Sequence, residues 1–162
     1  MDEPIVVVTT GGTIDKVYFD ARSEFEVGAS VVGELLKEAH VHCAYRLVEV
    51  MRKDSLDITG DDRALIVSTV AQCPERRIVV THGTDTMADT AAALAHLDGK
   101  TIVLTGALSP ARFAKSDATF NVGMAFATVQ TMEPGVYLVM NGQVFHAGAV
   151  RKDTEKNRFV PS

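Results

Sequence analysis

Hydroxyl groups stand beside glycines directly after three of this chain's apolar runs, and a carboxylate joins one of them. The first place is TTGGTIDKVYF, Thr9 to Phe19, which follows the apolar run IVVV. The second is THGTDTM, Thr81 to Met87, and the third is TGA, Thr105 to Ala107, each again behind an apolar run. An alcohol attacks an acyl carbon at neutral pH only with a base in hydrogen-bond reach and donors for the developing oxyanion. Gly11 and Gly12 can expose Thr13 on a turn. Gly83 lets the backbone approach a ligand closely, and Thr84 and Asp85 fall where a helix begins and its N–H groups point outward. Taken singly, each has a plainer explanation: a helix cap at Thr84 or Asp85, a tight turn at Gly11-Gly12. Their convergence carries more weight than any one of them.

Other chemistries lack their spacing. Lys16 comes too soon after the glycines for a G-x-x-x-x-G-K-[ST] phosphate loop, and G-x-G-x-x-G is absent. There is no G-x-S-x-G nucleophile elbow. His40-Val41-His42-Cys43 gathers three potential metal ligands, but no second half-site matches it, so a solvated helix end is the better reading and no metal is expected.

The elements that must position these residues alternate. Short Val-, Ile- and Leu-rich runs over Pro4–Thr9, Tyr45–Met51, Arg77–Thr81, Lys100–Thr105 and Gly135–Met140 read as strands covered on both faces. Helices are expected over Ala29–Ala39, Thr59–Gln72, Asp85–Leu97 and Ala118–Met132. The pattern predicts an α/β fold: a doubly wound, mainly parallel sheet of about five strands, Rossmann-like or flavodoxin-like, with helices on both faces. Asn141-Gly142 predicts a small hairpin after the fifth strand, near the C-terminus. In such sheets ligands bind beyond the carboxyl ends of the strands, where all three hydroxyl–glycine segments lie, with Asp54-Ser55 at the end of the second strand. The last helix carries apolar residues around more than one stripe, which fits a buried helix as well as a subunit interface.

Bulk properties agree with an ordinary globular domain. The 162 residues suit a single domain, 1–162, able to bury a core without disulfides. A net charge of -5 argues against a nucleic-acid partner. MDEPIVVV is neither a signal peptide nor a membrane span, so no membrane partner and a cytoplasmic location are expected. Cys43 and Cys73 read as free thiols in a reducing compartment.

Four segments together resemble the L-asparaginase family. TGGTI at Thr10–Ile14 and THGTDTM at Thr81–Met87 are similar to its two signature segments. DSLDIT at Asp54–Thr59 resembles its Asp-Ser segment, and VRKDT at Val150–Thr154 the segment bearing its lysine. The resemblance runs from Ile5 to about Lys152 and implies an amidohydrolase that converts L-asparagine to L-aspartate and ammonia. By resemblance, Thr13 is the nucleophile, and Thr84, Asp85 and Lys152 form a second constellation in which the lysine activates the threonine. Asp54, Ser55 and Asp85 would hold the substrate's α-groups, while the backbone of Gly12, Gly83 and Ala107 lines the pocket. No metal or organic cofactor is implied. Glutamine, or an amide within a larger molecule, is an alternative substrate, and a non-catalytic amino-acid-binding module is a second alternative.

This sequence departs from the family pattern in two ways. Family members are about twice this length, with a second, smaller domain, so a short form without that C-terminal domain is expected, completed as a homodimer or tetramer. The family's loop tyrosine precedes a Val-Gly pair, yet here Phe25-Glu26-Val27-Gly28 stands at that place. Tyr18 is the only tyrosine in the loop Asp15–Gly28. It is therefore assigned to hydrogen-bond or deprotonate Thr13 from a lid, the alternative being a purely aromatic lid residue.

Overall fold

The computed structural model describes residues 3–19 and 24–162. A six-stranded sheet forms its centre, from β1 (Ile5–Gly11), β4 (Tyr45–Lys53), β5 (Arg77–Thr81), β6 (Thr101–Thr105), β7 (Gly135–Met140) and β8 (Gln143–His146). Their order is β4-β1-β5-β6-β7-β8. The first five are parallel, and β8 pairs antiparallel with β7. Chain order along the parallel strands reverses at β1, which lies between β4 and β5. That is the flavodoxin-like switch point, where a crevice opens beyond the strand ends.

Strand after strand is buried on both faces, which is why the sequence shows runs rather than alternation. Val6, Val8, Ile78, Val80, Ile102, Leu104 and Leu138 face one core, with Val70, Ala91 and Leu94 from α2 (Gly60–Gln72) and α3 (Met87–Leu94). Ile5, Val7, Val79, Val103 and Val139 face the other core, with Val32, Leu35 and Leu36 of α1 (Val32–Glu38) and Val122, Ala125, Phe126 and Val129 of α4 (Ala118–Thr131). Fully burying one such side chain stabilises the fold by roughly 2 kcal/mol. These two layers therefore outweigh any single polar contact at the sheet edge. On α4 the large apolar residues Val122, Met124, Phe126 and Val129 pack toward the sheet, while Phe120 is 62% exposed.

Three departures from the expected elements have local causes. Asn141 and Gly142 both have positive φ, 49° and 88°, the signature of a two-residue turn matched to strand twist. That turn makes β7 itself one leg of the hairpin, so QVFH joins the main sheet as a sixth strand. The helix expected from Asp85 begins at Met87, because the Asp85 amide donates to Ser55 Oγ (3.1 Å) and Thr86 Oγ1 to the Ser55 carbonyl (2.9 Å). The helix expected from Ala29 begins at Val32, because the Val31 amide donates to the Asp15 carboxylate (3.0 Å).

Two further hairpins lie off the sheet. β2 (Lys16–Phe19) and β3 (Glu24–Val27) pair antiparallel, with Tyr18 opposite Phe25. They occupy most of the segment read as a lid, whose residues 20–23 lie outside the described residues. β9 (Val150–Asp153) and β10 (Arg158–Pro161) form the second hairpin, which the sequence pattern does not announce. Val150 and Phe159 dock it in the α2/α3 core. Among the described residues, no helix is long and apolar enough to cross a membrane.

Candidate active site

The site is built where β1 and β5 end side by side, Thr9 opposite Thr81. Beyond β1 the chain passes through Gly11 (φ 107°) and Gly12 (φ 87°) into a short 3-10 turn, Thr13–Asp15. A Cβ on Gly12 would lie 2.5 Å from Gly83 Cα and closer still to its amide nitrogen. A Cβ on Gly83 would in turn lie 2.7 Å from Ser55 Cβ. Only glycines allow these loops to stack this closely. Gly12, Gly83 and Ser55 thus form one layer, with Thr13 and Thr84 following directly from it.

Lys152 reaches into this layer from β9. Its Nζ donates to Thr84 Oγ1 and to Asp85 Oδ1, both at 2.7 Å. The lysine side chain is 11% exposed and the aspartate 37%. An ammonium so placed neutralises Asp85; an uncharged amine in the same place could take the Thr84 proton. The structure therefore brings Thr84, Asp85 and Lys152 together across 68 residues of sequence.

The hydroxyls sort into two groups. Thr10 Oγ1 donates to the Thr81 carbonyl and Thr105 Oγ1 to the Val139 carbonyl, both at 2.8 Å, so these two tie strands together. Thr13, by contrast, is half-buried and lines a pocket of about 310 Å³ with Lys16, Phe25, Leu108, Pro110 and Phe113. Phe25 is on its wall; Tyr18 is not. Tyr18 is 53% exposed and sets its ring edge-on to Phe25 at 5.4 Å, and Phe25 does the same to Phe113 at 5.6 Å. Among the described residues no hydrogen bond joins Tyr18 to Thr13.

Asp54 and Ser55 lie across the crevice. Asp54 caps a 3-10 turn through the Leu56 amide (3.0 Å) and pairs with Lys16 at 3.3 Å. Burial opposes its charge, but the Leu56 N–H, Lys16 and the field of Lys152 hold its carboxyl below the usual range. Ser55 is fully buried, its Oγ accepting from the Asp85 amide. Ala107 is also buried. Its loop is held by Asp117, whose carboxylate accepts from the amides of Leu108 and Ser109 and from the side chains of Asn121 and Asn141. Those donors overcome burial and keep the Asp117 carboxyl low.

Two supports carry no obvious mark in the sequence. His82 is fully buried, with Nδ1 at 2.7 Å from the Gly83 carbonyl and Nε2 at 2.8 Å from Thr90 Oγ1, which accepts from Arg63 Nε at 3.0 Å. The carbonyl can only accept, so Nδ1 carries the proton and Nε2 receives from Thr90. Burial drives the pKa of His82 down to about 4, and the ring is neutral. The second support is Asp15, buried two residues after Thr13, whose carboxyl burial pushes up to about 6.

The family model described as "Asparaginase, N-terminal" matches residues 4–159. This chain belongs to the asparaginase family. The glutaminase-asparaginase of Acinetobacter glutaminasificans is 29% identical over 163 residues, covering 91% of this chain and 49% of that protein. The L-asparaginase of Thermococcus kodakarensis is 28% identical over 158 residues, covering 91% and 47%. The crystal structure of L-asparaginase I from Vibrio cholerae superposes with a TM-score of 0.86 at 27% identity, covering 99% of this chain and 52% of that one. This asparaginase-family chain spans about half the length of the curated relatives it matches.

Proposed function

We propose that this chain hydrolyses the side-chain amide of L-asparagine to give L-aspartate and ammonia. The observation that carries the proposal is the Lys152–Thr84–Asp85 contact set, stacked through Gly83 against Gly12 and the Thr13 turn. In this reading Thr13 Oγ attacks the amide carbon while its proton is relayed through the Tyr18 hydroxyl, which hands a proton to the amide nitrogen. The C–N bond breaks, ammonia leaves with that proton, and an ester joins the acyl group to Thr13. Water then attacks the ester, giving one proton through Thr84 to an uncharged Lys152; the bond from the acyl carbon to Thr13 Oγ breaks, Thr13 Oγ takes the second proton, and the carboxylate product departs. The backbone of Gly12, Gly83 and Ala107 lines the pocket, and one N–H there serves as oxyanion donor, where a fixed donor acts most strongly. Asp54, Ser55 and Asp85 receive the substrate's α-groups, and Tyr18 comes to Thr13 by movement of the β2–β3 hairpin.

Glutamine is the second reading, favoured by the relative named glutaminase-asparaginase. Ammonia release from asparagine and from glutamine, each at millimolar concentration, with Thr13→Ala beside the wild type, separates the outcomes. No release from either amide, or equal rates in the variant, defeats the proposal and leaves the amino-acid-binding module, which calorimetry with aspartate would then detect. The two free cysteines, Cys43 and Cys73, fit the cytoplasmic setting this reading assumes. A homodimer or tetramer is proposed to cover the open mouth of the site, where Tyr18, Phe25 and Phe113 are exposed. Sedimentation of an active monomer would remove that part.

A further inference from the structure

We infer that Asp15 is a positioning residue, its carboxylate fastening the turn that carries Thr13 to the start of α1 and the return of β3. Every polar group of Asp15 is spent on this junction. Its amide donates to the Gly12 carbonyl (3.1 Å), closing the Thr13 turn. Its carbonyl accepts from the Gly28 amide (2.9 Å) and from Arg112 Nη1 (3.2 Å). Its carboxylate accepts from the Val31 amide (3.0 Å), with the Ser30 hydroxyl near enough to favour its charged form. Arg112 also reaches the Ala29 carbonyl (3.2 Å), and the Ala111 amide donates to the Ile14 carbonyl (3.0 Å). Thr13 and Phe25 both line one pocket. The junction at Asp15 is what holds their two segments at that separation.

The junction responds to protonation. A protonated carboxyl is a weaker acceptor for the Val31 and Ser30 donors, and it loses its attraction to Arg112. Burial raises the Asp15 pKa to about 6, against the Val31 and Ser30 hydrogen bonds and the charge of Arg112; Glu49 on β4, ion-paired with Arg52, adds to the rise. Because burial outweighs those contacts, the closed junction favours the protonated carboxyl, and ionisation above that midpoint is what strains the Thr13 turn.

Amide resonances of the whole chain, followed by nuclear magnetic resonance from pH 5 to 8, test this directly. Val31, Gly28 and Thr13 should titrate together with one midpoint near 6, and Asp15→Asn should abolish that titration. Arg112→Met and Ser30→Ala, which leave Asp15 in place, should each raise the midpoint and decide the matter if Asp15→Asn does not fold. A flat Val31 resonance, a Val31 titration that leaves Thr13 and Gly28 still, or midpoints unmoved in both variants would overturn the inference. Its catalytic consequence rests on the proposed amide hydrolysis. There kcat/KM should show an inflection at the same midpoint in the wild type, and Asp15→Asn should lack it; an unchanged inflection in that variant overturns the inference. If neither amide is hydrolysed, the functional reading fails on its own and the three resonances still judge Asp15.

Discussion

Gly12 and Gly83 touch backbone to backbone, with no space for a side chain between the ends of β1 and β5. The clash a Cβ would make is with main-chain atoms, which cannot swing aside as a side-chain tip can. Gly12→Ala also forces an alanine into φ 87°, a strain of roughly 1–3 kcal/mol before the steric contact is counted. The variant should lose at least that much stability in urea denaturation and nearly all amide hydrolysis. A variant with wild-type midpoint and rate would show that the two loops do not need this contact.

Lys152 and Asp85 make a pair whose aspartate is over one-third exposed, and such pairs contribute little to stability because solvent screens them. Lys152→Met should therefore change stability by about 1 kcal/mol or less. The same variant should lower kcat by roughly a hundredfold or more if the amine takes a proton from Thr84. Parallel denaturation and ammonia assays read the two effects separately. Equal proportional losses in both would reduce Lys152 to a scaffold role.

Phe25 stands where the family pattern places its loop tyrosine, and Tyr18 lies opposite it across the β2–β3 hairpin. Tyr18→Phe should lower kcat about a hundredfold if the phenol serves Thr13. Phe25 already lines the Thr13 pocket, so adding Phe25→Tyr to that variant should restore part of the loss. Full activity in Tyr18→Phe alone would leave Tyr18 as an aromatic prop for Phe25.

Two buried groups pull stability in opposite directions at mildly acidic pH. His82 has a folded pKa of about 4 against an ordinary 6.5, so the unfolded chain holds more protons between those values and stability falls as pH drops. Asp15 is the reverse. Its folded value of about 6 against an ordinary 3.8 makes the folded chain hold more protons, and stability falls as pH rises through that window. Each shift corresponds to roughly 3 kcal/mol, so the slopes largely cancel in the wild type. Asp15→Asn should expose the His82 slope: more stable than wild type at pH 7.5, and losing on the order of 3 kcal/mol between pH 6.5 and 4. Urea denaturation across that range measures it; a variant curve as flat as the wild type would contradict the pairing.

The central strands are readable because burial on both faces leaves apolar runs such as Ile78–Val80 and Ile102–Leu104 that no helix-length segment imitates. β9 and β10 are not, because only Val150 and Phe159 of that hairpin are buried and its charged residues look like a solvated tail. Lys152 can be singled out only through the family resemblance, since nothing local to it signals a partner 68 residues away. Asp15 is silent in the sequence for the same reason: its meaning depends on Val31 and Arg112, which meet it only once the chain is folded. Helix starts shift where a side chain from a distant loop, Ser55 or Asp15, takes up the first amides.

Lys152 rides on a hairpin that joins the fold after all six strands of the sheet have been made. A ribosome that has released the chain through β8 has already delivered Thr13, Thr84 and Asp85, together with the strands that aim them. The amine that completes the set is still to come. Emergence of β9 is then the step that brings the amine to Thr84 and Asp85.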